Sequence, residues 1–215
     1  MASGIVAVKS ASRAPTPAQR AAAAATAQAD RWRTRTAGQI FRAVVSYSTS
    51  LLTTETARRI AIGSQSACAS AVDPAVAALA THDHCTAGLR ATYLDQLQGI
   101  VYTVGVLAFP TARRAAAFSA GLSADHAAVF ALRALALPGT ASWLFSPAAR
   151  QAATTRQAGP FVILTVAGYA DGQPAGVGEE ARPGIFTPAA QLAATIASPL
   201  TTPVQVNCRS PQWSC

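Results

Sequence analysis

His82, Asp83, His84 and Cys85 form the one run of this 215-residue chain in which metal-ligand side chains stand together. In an extended segment His82 and His84 point to the same side, so both imidazoles could meet one metal ion. The only other histidine is His126, and no HExxH or CxxC supports a zinc site. The plainer reading is a polar helix end, where the helix dipole favours histidine. The four cysteines, Cys68, Cys85, Cys208 and Cys215, fall into two local pairs. Their even number and pairing point to disulfides in an oxidising compartment rather than to thiol chemistry. A straight helix between Cys68 and Cys85 would hold them apart, since each residue adds about 1.5 Å. The break at Asp73-Pro74 lets the chain fold back. Local pairing, Cys68 with Cys85 and Cys208 with Cys215, is one of the possible connectivities.

Arg90 and Arg133 each interrupt a strand-like apolar run, and alternation places them on a sheet face. There they could hold an anionic ligand; a solvent-facing or locally paired arginine is the bland alternative. Trp143 and Phe145 follow Pro138-Gly139 and offer either an exposed contact or packing onto the sheet. Signatures of catalysis are missing: no GxSxG elbow, no phosphate loop and no GxGxxG occur. Gly172, Gly176 and Gly178 share their loop with Glu179 and Glu180, which does not suit phosphate. Asp95 and Asp171 remain as an acid pair, but each stands at a strand end, where Asp commonly forms turns. These residues specify no cofactor and no metal.

The formal net charge is +8, from 17 basic and 9 acidic residues, and Lys9 is the only lysine. GC-rich codons account for arginine and alanine in place of lysine and isoleucine. The arginines are spread along the chain with no block of like charge, which argues against nucleic acid as the partner. Hydrophobic residues make up 51% of the chain, enough for a sizeable core. Because so many are alanine, the Val, Ile, Leu and Phe runs must supply most of the buried area.

Those runs define the elements that must position the side chains above. Thr16-Pro17 opens a helix that reaches about Trp32 with almost no apolar stripe, the pattern of a stalk or linker. A strand is expected at 40–48, and 49–65 is ambiguous, with a short helix after Thr53 or Thr54. Two short helices follow, 65–72 and 74–81, with Asp73 as cap of the second. Strands at 88–94 and 99–109 form a hairpin, Pro110 opens a helix closed by Gly121, and 129–137 reads as a fourth strand. Ser146-Pro147 opens a helix to about Gln157, and 161–169 is the best buried strand. A loop at 171–184, a helix from Thr187-Pro188 to about Ala197 and a short strand at 204–207 complete the chain.

The expected class is α+β. A ferredoxin-like βαββαβ core spans Ile40 to Leu137 and carries an α-β-α-β C-terminal extension. Its sheet is antiparallel or mixed and covered by helices. Residues 1–36 are expected to be a truncated anchor end and an Ala-rich linker, and 37–215 a single domain. Met1 to Val8 is apolar but too short to span a bilayer, so it is expected to be the end of a longer signal anchor.

Three stretches carry a resemblance: ATYLDQLQGIVYTVGVLAFP (91–110), LALPGTASWLF (135–145) and AGPFVILTVAGYADGQP (158–174). From Thr36 to Tyr169 the chain resembles uncharacterised, membrane-anchored extracytoplasmic proteins of high-GC Gram-positive bacteria. That resemblance implies an N-terminal membrane helix, a linker and an extracytoplasmic domain, and no activity. The expected role is non-enzymatic: binding, sensing or scaffolding with an envelope protein or small ligand, the membrane being reached only through a missing N-terminal anchor. A hydrolase or metal enzyme with a non-standard site at His82 and His84, and an anionic-polymer binder, are the alternatives.

Overall fold

The computed structural model describes residues 14–124, 130–174, 183–208 and 213. Met1 to Val8, His126, Gly176, Gly178, Glu179, Glu180 and Cys215 therefore lie outside the described residues.

Helix α1 (Pro17–Ala29) starts where expected: Thr16 and Gln19 form a reciprocal capping box around the proline of the first turn. Helices α2 (Arg31–Thr34) and α3 (Ala37–Ile40) follow it. This lead is not a free linker along its whole length. Trp32 is buried in the core. Arg31 donates to the carbonyls of Pro199 (3.3 Å) and Leu200 (2.8 Å), in the last turn of α7 (Pro188–Thr201). Carbonyls there have no intrahelical partner, so a buried guanidinium suits them. The packed unit thus begins before the boundary expected at 36/37.

Six strands form one sheet: β1 (Val44–Ser48), β2 (Thr54–Ile62), β3 (Ala87–Asp95), β4 (Ile100–Ala108), β5 (Ala152–Ala158) and β6 (Phe161–Tyr169). Their order is β1-β2-β3-β4-β6-β5, and every neighbouring pair is antiparallel. The protein is α+β, but the sheet is not a simple ferredoxin fold. Its first two strands are joined by a hairpin, where that topology needs a helical crossover.

Each face of the sheet carries its own core. On one, Tyr93, Tyr102 and Ile163 pack with Trp32, Phe41 and the Leu192 and Ile196 side chains of α7. On the other, Val101, Leu107 and Leu164 pack under α4 (Cys68–Ala71), α5 (Pro74–His82) and α6 (Ala112–Ala124), around Phe118 and Phe145. Burial on both faces explains why β4 and β6 read as continuous apolar runs. Each such side chain contributes about 1.5–3 kcal/mol.

Four expectations are corrected. Segment 54–62, read as ambiguous with a short helix, is β2; pairing with β1 and β3 overrides the helix preference of its Ala and Arg. Segment 152–158, read as helix, is edge strand β5, matched residue for residue to β6; only one 3-10 turn, Pro147–Ala149, precedes it. Residues 204–207 form no strand. Of 129–137, read as the fourth strand, the described residues 130–137 form an extended strap across the sheet face.

No sheet edge is free at the centre, so side chains and flanking segments satisfy the strap's backbone. Arg150 donates to the carbonyls of Phe130 and Leu132, Arg90 to that of Arg133 and Thr92 to that of Leu135. The Leu135 amide donates to the Thr103 hydroxyl. Ala71 and Asp73 complete the set through the Arg133 amide and the Ala131 carbonyl. Gly105 lies beneath Leu132, where a Cβ would overlap its side chain.

The outermost strand is closed differently. The Gln191 amide of α7 accepts from the Ser48 N–H (2.8 Å) and donates to the Ser48 carbonyl (2.7 Å), as a neighbouring strand would.

Candidate functional site

At the end of the sheet where β1 finishes and β2 begins, the strands are unequal. The β2–β3 register starts at Ala57 opposite Asp95, so β2 runs on past the end of β3 through Thr54, Glu55 and Thr56. From Thr56 onward, this flank of β2 is one wall of a cleft of about 670 Å³. Thr56, Arg58 and Ile60 line that wall, and Leu94 with the turn residues Gln96 and Gln98 forms the base. The opposite wall is the loop that leaves the strap, at Gly139, Thr140 and Ala141.

Local hydrogen bonds fix each wall. In the β1–β2 turn the Thr49 hydroxyl lies 2.7 Å from that of Thr53 and accepts from the Leu51 and Thr53 amides. Leu51 and Leu52 stand at the tip, 83% and 90% exposed. Leu52 has φ 62°, a left-handed conformation that usually selects Gly or Asn. At the base, a carboxylate oxygen of Asp95 accepts from the Ile100 amide at 2.8 Å, and the Asp95 carbonyl from that of Gln98. In the far wall the Thr140 hydroxyl donates to the Leu137 carbonyl at 2.8 Å, and Ser142 ties back to the Leu137 amide. Trp143 and Leu144, just beyond, are more than half exposed.

Charge is distributed unevenly about the overhang. Side chains alternate along β2, so Glu55 faces away from Arg58. Glu55 accepts from the Tyr47 hydroxyl at 3.0 Å, on the α7 side. Burial, reinforced by Glu55, raises the Tyr47 pKa above its ordinary value; burial is also the main cause for Tyr93 and Tyr102. The ion pairs among the described residues are Arg33 with Asp30, His82 with Asp83, and Arg150 with Asp73. The exposed Arg58 on the cleft wall belongs to none of them.

The residues singled out from the sequence lie mostly elsewhere. Cys68 and Cys85 form a disulfide with Cα atoms 6.1 Å apart, tying α4 to the segment before β3. Cys208 is also disulfide-bonded. The Cys85 thiol is thus consumed and cannot ligate a metal beside His82 and His84. His82 is exposed and meets Asp83 at 3.2 Å; His84, also exposed, has φ 58°. Among the described residues no group of three or more His, Cys, Asp or Glu converges as a metal site.

Arg90 and Arg133 do come together on the strap. Arg90 is partly buried and donates to the Arg133 carbonyl at 3.1 Å. Desolvation first, and the Arg133 charge second, lower its pKa. Asp95 lines the cleft as a turn former, and the Asp171 carboxylate accepts from the Gln173 amide. Phe145 packs in the core while Trp143 stays exposed. Sequence reasoning missed Arg58 and Thr56, although the polar alternation of TETAR was there to be seen.

Compared with family models, curated proteins and solved structures, the chain matches none.

Proposed function

We propose that this chain is a non-enzymatic binding domain of the cell envelope, acting in an oxidising, extracytoplasmic compartment, with the cleft beside the β2 overhang as its binding site. The observation that carries this reading is the cleft's makeup. A cation outside any ion pair of the described residues, neutral amide and hydroxyl groups and an apolar floor line it, suited to holding a ligand rather than transforming one. Its one carboxylate, on Asp95, is engaged in its own turn. The Cys68–Cys85 bridge supports the compartment. No helix among the described residues is long and apolar enough to cross a membrane, so anchoring rests on the expected signal anchor alone.

Arg90 and Arg133 supply a second anion contact in the same reading, since Arg90 bonds the Arg133 carbonyl and the Arg133 charge is close enough to disfavour its own. The test is a thermal-shift screen of the oxidised protein against envelope-derived small molecules and peptides, run beside generic ester, glycan and peptide hydrolysis assays. Stabilisation that Arg58→Ala abolishes is the expected result. Robust turnover of any of the assay substrates would overturn the reading.

A further inference from the structure

We propose that the overhanging flank of β2 takes an extended, carboxylate-bearing peptide from a partner protein, added as a short strand. This rests on the cleft being a binding site. The backbone supplies the first argument. The Thr49 amide donates to the Thr53 carbonyl and the Arg59 amide to that of Ala43, so odd-numbered residues of β2 turn their polar groups toward β1. Antiparallel ladders alternate, so even-numbered residues turn theirs the other way. Arg58 meets Leu94 of β3 there, but the register ends before Thr56 and Thr54. Their N–H and C=O groups turn toward the flank that β3 leaves uncovered, where Thr56 lines the cleft, and no side chain among the described residues bonds them, whereas the Gln191 amide satisfies the outward groups of Ser48 on β1. Such a flank is a template for a strand, and main-chain pairing provides affinity without requiring a particular sequence.

Charge supplies the second argument. Arg58 projects from the same flank, outside every ion pair of the described residues, while Glu55 is turned to the other face. A guanidinium in that position selects a carboxylate, which it can grip with two parallel hydrogen bonds. The third argument is order. The hydroxyl network of Thr49 and Thr53 holds the hairpin ready, so little loop entropy is lost on binding. The occupant is therefore an extended segment with Asp, Glu or a terminal carboxylate near Arg58.

The experiment selects a random heptapeptide display library against the oxidised, full-length chain, then titrates the best synthetic binder into isotope-labelled protein. The selected peptides are expected to be acidic and to slow exchange of the Thr54 and Thr56 amides by about tenfold or more, as new ladder bonds do. Arg58→Glu is expected to weaken binding by about tenfold or more. Thr56→Pro removes one cleft-facing donor but no bond to β1, and is expected to do the same. If that variant fails to fold, Arg58→Glu and the exchange data decide alone. Binding that leaves both amides unprotected, or is indifferent to Arg58→Glu, overturns the inference. So does an empty selection beside small molecules that stabilise the protein through Arg58, although the binding reading then stands.

Discussion

Arg150 shows how much one side chain holds here. Its guanidinium is buried, bonds the carbonyls of Phe130, Leu132 and Pro147, meets Asp73 at 3.1 Å and lies 5.2 Å from the centre of the Phe130 ring. Removing it strands several acceptors at once. Arg150→Ala is expected to cost about 3 kcal/mol, because unpaired buried groups carry their full desolvation penalty. Urea unfolding measures the loss, and amide exchange across 130–137 should rise in the same variant while that of β4 stays slow. Unchanged exchange in the strap would show that Arg150 is not what holds it. Arg150 was not legible as such: in the sequence it is one arginine among many, and its partners stand 20, 18 and 77 positions away.

Among the elements, α4 and α5 depend on the Cys68–Cys85 bridge, which closes a loop of 17 positions. Replacing both cysteines with serine is expected to cost about 3 kcal/mol, from freed entropy in the unfolded chain. Denaturation of the oxidised wild type beside the double variant checks this; equal midpoints would contradict it. These two helices were legible because proline, Asp cap and cysteine spacing are local signals. So were β3, β4 and β6, whose apolar runs leave little choice. The strap and β5 were not. FALRALAL has the composition of a strand, but the places beside β3 and β4 are taken, and it lies across them instead. AATTRQA has the composition of a helix, but β6 offers it an edge. The cleft shares that fate, since β2, the turn after β3 and the loop after the strap frame it together, a juxtaposition that no single strand's sequence contains.

For the whole molecule, three buried tyrosines set an alkaline limit. Tyr47, Tyr93 and Tyr102 have pKa values raised by burial. A raised folded pKa means that the folded state keeps its protons longer. The stability this represents is complete below the unfolded tyrosine value, about pH 10, and is lost as pH climbs beyond it. Phenolate absorbance from these residues is expected to appear together with unfolding above that pH, rather than as a separate earlier titration. Spectrophotometric titration followed alongside circular dichroism tests it, and early ionisation in a still-folded protein would refute it. The Gln191 contact bears on the molecule's solubility. By standing in for a strand beside Ser48, one side chain caps the Ser48 end of the outer edge of β1 against other copies of the protein. Gln191→Ala should therefore leave the fold intact but promote concentration-dependent self-association, visible in sedimentation velocity. A variant that stays monomeric at every concentration would mean that the edge is guarded by something else. If the association occurs, that single amide is what keeps the β1 edge from adding a strand of an identical chain.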